Sequence, residues 1–232
     1  MTTTLDDLRT KLEKALSEAS MIGQLPGTGT WSENTLETFL REGMDQLSNH
    51  FPRTRSTTID CVTDQHNYDL PADFLAVLSV EYPDGEDPPE FLIPMSRRDA
   101  RFWAGDCYYD VETSDQVTVS TLWISADPVN TEDIEVVYTA THDSTIAVDA
   151  DITVPTHLEP VVIQYAVWRA WSERKSVELQ DPDTTIHLIR DMTEACNHAY
   201  ARFKDLLAQA KQNLQTSGYT RPWPADDYDR IY

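Results

Sequence analysis

The sequence predicts an α+β fold with its helices and strands segregated along the chain. Three observations carry this. Apolar residues recur at helical spacing near both ends. Between about Thr57 and Thr145 the period falls to two, in short runs rich in Val, Ile, Thr and aromatic residues. The helical and strand patterns do not alternate, which argues against βαβ units. The expected architecture is an α-helical bundle body, made of two N-terminal and two C-terminal helices, with an inserted antiparallel β domain and an extended C-terminal arm. Expected bounds are 1–56 and 146–217 for the two parts of the body, 57–145 for the β domain and 218–232 for the arm.

The first helix is predicted over residues 5–22, with a stripe of Leu5, Leu8, Leu12, Ala15, Ala19 and Ile22. The stretch GQLPGTGT at 23–30 breaks it. Ser32 then serves as N-cap of a second helix, and Trp31 and Leu36 have the spacing of a hydrophobic staple. Its stripe runs through Leu36, Leu40, Met44, Leu47 and Phe51 to the stop at Pro52. Strands are expected at 57–63, 74–82, 107–113, 116–124 and 132–140. In the last two, Val117, Val119 and Thr121 share a face, as do Ile134, Val136 and Tyr138. An acidic loop is expected at 83–90 and one short helix at 96–103.

After Pro155 the helical period returns. Thr156 and Glu159 have capping-box spacing, and Pro160 falls in the first turn, where a missing N–H is tolerated. The expected stripe is Val161, Tyr165, Trp168 and Trp171. Asp181 and Pro182 restart a helix as N-cap and first-turn proline. That helix carries a stripe from Ile186 through Ile189, Thr193, Cys196, Ala199, Phe203, Leu206 and Ala210 to Leu214, and stops at Gly218.

Composition narrows the function classes. The 232 residues hold 40 Asp plus Glu against 18 Lys plus Arg, a formal net charge of -22. Such a surface repels nucleic-acid phosphates. Copies of it associate only with screening salt or through local basic patches. Acid excess, five lysines and abundant threonine fit a halophilic host; an ordinary solvated acidic surface fits the same numbers. The N-terminal stretch has early acids and no continuous apolar run, so no secretory leader is expected, and no run is long enough to span a bilayer. Cys61, Cys107 and Cys196 are odd in number and far apart, which points to buried or free thiols in a reducing compartment.

No catalytic, metal or cofactor site is predicted. The GTG at 27–29 lacks the further residues of a dinucleotide or phosphate loop. There is no GxSxG elbow, and the six histidines, His50, His66, His142, His157, His187 and His198, form no HExxH and read as surface or helix-end residues. Acid pairs such as Asp84/Glu86/Asp87 and Asp149/Asp151 lack the full calcium-loop pattern and read as solvated surface.

Interaction residues stand out instead. Arg97, Arg98 and Arg101 form a basic knot in an acidic chain, either a plain surface turn or a subunit contact for an acidic neighbour. In the tail, Tyr219, Arg221, Pro222, Trp223, Tyr228, Ile231 and Tyr232 are of hot-spot type. They are read as an arm that reaches a partner, in preference to packing back on their own helices.

Four stretches together resemble the head–tail adaptor (connector) proteins of tailed viruses, the ring below the portal. They are Trp31-Ser32 with Phe51-Pro52, the run from His66 through Tyr68, Leu70-Pro71 to Phe74, the segment Leu122 to Tyr138 with Pro128 in its turn, and Pro155 to Trp171. The resemblance implies a virion structural protein at the head–tail interface, made in the host cytoplasm and not an enzyme. It implies a homo-oligomeric ring, typically a dodecamer, that binds the portal protein and tail or head-completion proteins. Genomic DNA would pass through it without specific binding, and it implies no membrane and no cofactor. The alternative is a tail-associated module whose β domain recognises glycan or another tail protein, and a third reading is a metal-assisted hydrolase using the acid clusters.

Overall fold

The computed structural model describes residues 3–23, 31–113, 119–181 and 185–216. The chain divides into two compact units. One combines the residues up to Leu47 with those from Ser144 onward; the other is Ser48–Asp143.

The helical unit contains α1 (Leu5–Gly23), α2 (Glu33–Ser48, whose last residue belongs to the other unit), α3 (Glu159–Glu178) and α4 (Ile186–Thr216). Helix α1 buries Leu5, Leu8, Leu12 and Leu16 almost completely. The buried row therefore runs through Leu16 rather than through Ala15, which stays half-buried. The side chains of Ala19 and Ile22 lie outside the described residues, as does the 27–29 segment. Thr4 starts the helix: its hydroxyl accepts from the Asp7 N–H, and the Asp7 carboxylate accepts from the Thr4 N–H. That is a reciprocal capping pair. The Arg9 guanidinium then reaches Glu33 at 2.9 Å and Glu37 at 3.0 Å, tying α1 to α2.

Helix α2 opens as expected, with the Ser32 hydroxyl accepting from the Thr35 N–H. Trp31 lies edge-on to Trp171, with centroids 5.5 Å apart. Leu36, Phe39, Leu40, Met44 and Leu47 are buried. Gly43 is the close-approach point. A Cβ there would sit 3.1 Å from both Cγ1 and the carbonyl oxygen of Val162 on α3.

Helix α3 departs from the capping box expected at Thr156 and Glu159. Leu158 is its N-cap, with no side-chain cap. The Glu159 carboxylate is already engaged, accepting from Lys11 Nζ at 2.6 Å and Thr3 Oγ1 at 2.7 Å. A tertiary ion pair has displaced the local cap. Nor is α3 one-sided. Val162 and Ala166 are buried together with Val161, Val167, Ala170 and Trp171, so buried positions surround much of the helix. Tyr165 and Trp168, only half-buried, stack with Tyr200 and Phe203 of α4. Helix α4 starts at Ile186 with Thr185 before it, its hydroxyl accepting from the Leu188 N–H, and not at Asp181. Pro182, Leu214 and Gly218 lie outside the described residues or side chains. Ile186, expected on the buried stripe, is 82% exposed, and Met192 is buried instead.

The β unit holds seven strands among its described residues: β1 (Arg53–Asp60), β2 (Asn67–Asp69), β3 (Phe74–Glu81), β4 (Ile93–Pro94), β5 (Tyr108–Glu112), β6 (Thr121–Ile124) and β7 (Asp133–Ala140). They form a three-stranded sheet, β1-β7-β3, and a four-stranded one, β2-β6-β5-β4. All pairings are antiparallel except β4 with β5, which is parallel. On β7, Ile134, Val136, Tyr138 and Ala140 face the core, in the predicted alternation. On β6 the inward pair is Leu122 and Ile124, so Thr121 points the other way; Val117 lies outside the described residues. The region 96–103 is not the expected helix. It is a chain of turns ending in a 3-10 turn, Phe102–Ala104. Asp99 holds it, accepting from both the backbone N–H and the guanidinium of Arg101, and these bonds lower its pKa to about 2.

His142 is no surface residue. It is 2% exposed, its ring Nε2 lies 2.9 Å from the Phe51 carbonyl oxygen, and its N–H donates to Ser48 Oγ. A carbonyl only accepts, so the Nε2 proton is present. Cys61 and Cys196 are buried and Cys107 is exposed, all as free thiols; burial raises the Cys61 pKa.

Candidate interaction surface

The stretch from His66 to Phe74 is built into the β-unit core. Tyr68 and Leu70 are buried there, and the Tyr68 hydroxyl accepts from the Val62 N–H. Pro71 turns the chain, with the Phe74 N–H bonded back to its carbonyl. Asp73 sits at the hub. Its carboxylate accepts from Arg53 at 3.0 Å, Arg55 at 2.9 Å and the Tyr138 hydroxyl at 3.2 Å. Burial pushes its pKa up, but the Arg55 and Tyr138 bonds outweigh that and the net shift is downward. This element is architectural, and it delivers β3 to the edge of its sheet.

Strand β3 carries two irregularities against β7, between Phe74 and Ala76 and between Val77 and Ser79. The residues skipped in the register are Leu75 and Leu78, 44% and 38% exposed. A bulge re-aims a side chain and interrupts edge pairing. Beside β3 lies an open groove, walled by Leu75 and Val77 on one side and by Met95, Ser96, Tyr109 and Val111 on the other. The far end of β3 is covered, since the Leu92 N–H bonds to Val80 O and the Tyr82 N–H to Glu90 O.

The predicted arginine knot adjoins this groove and is split by the fold. Arg97 is held inward: its N–H donates to Asp110 Oδ2 at 2.9 Å, its guanidinium pairs with Glu112 at 2.5 Å and covers the Trp123 ring at 4.4 Å. Arg101 pairs with Asp99 in its own turn. Arg98 is exposed and forms no salt bridge among the described residues. Sequence reading singled out the three arginines. It missed the groove, whose walls come from separate segments and meet only through strand pairing.

Two further features lie apart from the groove. Carboxylate oxygens of Glu81, Asp84 and Glu135 lie within 4.8 Å of one another, the one such trio among the described residues. It draws in Asp84 from the predicted acidic loop but not Glu86 or Asp87, and Glu81 already accepts from the Gly85 N–H. In the helical unit, Val177 and Leu179 at the end of α3 and Ile186 at the start of α4 are exposed apolar residues. The predicted arm residues Tyr219, Arg221, Pro222, Trp223, Tyr228, Ile231 and Tyr232 lie outside the described residues. Among the described residues, no helix is long and apolar enough to cross a membrane.

No curated protein matches the chain. The family model for the SU10 adaptor protein matches residues 3–226, so the match spans both the helical unit and the β unit. The chain therefore belongs to the SU10 adaptor protein family: it is a phage adaptor, a structural component of the virion whose partners are other virion proteins.

Proposed function

We propose that this chain is a head–tail adaptor that closes into a homo-oligomeric ring between portal and tail, with the genome passing through its lumen. The observation that carries the reading is the family match over residues 3–226, which takes in the whole helix–β–helix order. The charge supports it. A net charge of -22 per copy makes a lumen wall that repels phosphate, so DNA slides without sticking. The same charge sets copies against each other. Of Arg97, Arg98 and Arg101, the first and last already pair with Glu112 and Asp99, and Arg98 is proposed as the basic charge of a subunit contact that offsets this repulsion, helped by salt, since the screening length falls to about 3 Å at 1 M.

The C-terminal residues Tyr219 to Tyr232 are proposed as the docking arm toward the portal or a neighbouring subunit, on their aromatic and arginine content. The role is structural and the reading uses no cofactor. Native mass spectrometry in volatile salt, with and without the portal protein, tests it. A closed oligomer that adds to the portal is expected; a monomer that ignores the portal sinks the reading. One observation favours a second, tail-side role for the β unit. Trp103 is 53% exposed and edge-on to His66, a surface aromatic of the kind that contacts glycan or another protein.

A further inference from the structure

The geometry points to the β-unit groove as the receptor for the C-terminal segment, residues 218–232, of a second copy of this chain. This deepens the adaptor reading, on which it rests for the association of copies, by naming what the arm grips.

The groove offers apolar side chains to solvent at a place where the backbone has been bent to present them. Leu75 is skipped in the β3 register and 44% exposed, with Val77 beside it and Met95, Tyr109 and Val111 opposite. The two bulges make strand addition along this stretch of β3 unfavourable, so an occupant is held through side chains. The wall segment that ends at Ser96 continues into Arg97 and Arg98. Of the acids nearby, Glu112 pairs with the Arg97 guanidinium, and Asp110, which also lines the groove, accepts from the Arg97 backbone N–H. Arg98 is left exposed with no salt bridge among the described residues. In a chain with 40 acids and 18 Lys plus Arg, an unspent guanidinium beside an apolar groove fits a ligand that is both apolar and acidic.

The C-terminal segment has that chemistry. Trp223, Tyr228, Ile231 and Tyr232 are interspersed with Asp226, Asp227 and Asp229, against Arg221 and Arg230, which leaves one acid in excess. The described chain ends at Thr216, and the residues beyond it, 217–232, span about 50 Å when extended. That length lets the segment leave its own helix and reach another copy. Docking in trans also gives strongly acidic copies an attraction that carries a fixed direction, head of one to tail of the next. Heterologous contacts of this kind are those that close rings.

The test uses the full chain and three variants, Leu75→Ser, Arg98→Glu and Trp223→Ala/Tyr228→Ala. Association is measured by sedimentation velocity in 0.15 M and 2 M KCl, with portal binding measured on the same samples. Each variant is expected to weaken copy-to-copy association at least tenfold. The Arg98→Glu deficit shrinks to under about threefold in 2 M KCl, where the charge is screened, while the Leu75→Ser deficit persists. A fluorescein-labelled peptide of residues 218–232 should bind the Trp223→Ala/Tyr228→Ala chain and lose affinity tenfold when Arg98→Glu is added. Leu75 and Arg98 are exposed, and unchanged near-ultraviolet circular dichroism verifies folding. Groove and tail variants that associate like wild type overturn the docking. So does a peptide indifferent to Arg98→Glu, or a groove variant that loses only portal binding, which would hand the groove to the portal. Wild-type chain that binds the portal while the variants associate normally leaves the adaptor reading standing; chain that neither associates nor binds portal overturns both.

Discussion

Replacing Asp73 with Ala should unfold the β unit at markedly lower temperature, because one carboxylate serves three donors. Arg55 is half exposed, so its pair contributes about 0–1 kcal/mol. Arg53 is mostly covered, and its charge-assisted bond contributes about 1–1.5 kcal/mol. Tyr138 is 1% exposed, and a hydroxyl left there without an acceptor costs about 1–2 kcal/mol. The sum is about 3 kcal/mol. At about 4–8 °C per kcal/mol for a domain of this size, the β-unit transition falls by roughly 12–24 °C in differential scanning calorimetry. Asp73→Ala/Tyr138→Phe should recover about 1 kcal/mol, since the second change removes the orphaned hydroxyl. The effect also has a pH signature. The native pKa of Asp73 lies below the ordinary 3.8, so its contribution is complete above that value and is lost as pH falls through the lower native one. The gap between wild type and Asp73→Ala should therefore close in acid. A cost under about 1 kcal/mol at pH 7, or a gap that widens below pH 3.8, would refute the hub.

Other expectations concern the helical unit. Leu12 is fully buried, so Leu12→Ala should cost about 3 kcal/mol by urea denaturation. Gly43→Leu should cost at least about 2 kcal/mol by the same measurement, because even a Cβ already meets the Val162 carbonyl at 3.1 Å; a neutral result would mean that α2 and α3 do not approach so closely. Glu159 is 4% exposed and bound to Lys11 and Thr3, so Glu159→Gln should cost about 1–2 kcal/mol, with little relief from added salt.

What was legible in the sequence follows from how local each signal is. The Ser32 cap and the β7 alternation involve neighbours a few residues apart, and both stand in the structure as read. Strands β2 and β4 are three and two residues long, too short to show a period. Strand β3 was found, but its bulges put Leu75 and Leu78 outward, which no alternation rule anticipates. The short helix expected at 96–103 lost to Asp99, whose side chain competes for the backbone N–H of Arg101. Glu159 had the spacing of a cap, but Lys11, 148 residues away, claims it. The α3 stripe captured only part of the packed surface, because that helix is packed on more than one side, as Val162 against Gly43 and Tyr165 against Phe203 show. The groove was invisible for the same reason: Leu75, Met95 and Tyr109 meet only after the strands pair.

The most direct test of the adaptor account is negative-stain electron microscopy of the purified chain, alone and mixed with its portal protein. The account predicts closed rings that stack coaxially on the portal, with an open central channel. Dispersed monomers, unchanged by adding portal at any salt concentration, would contradict it.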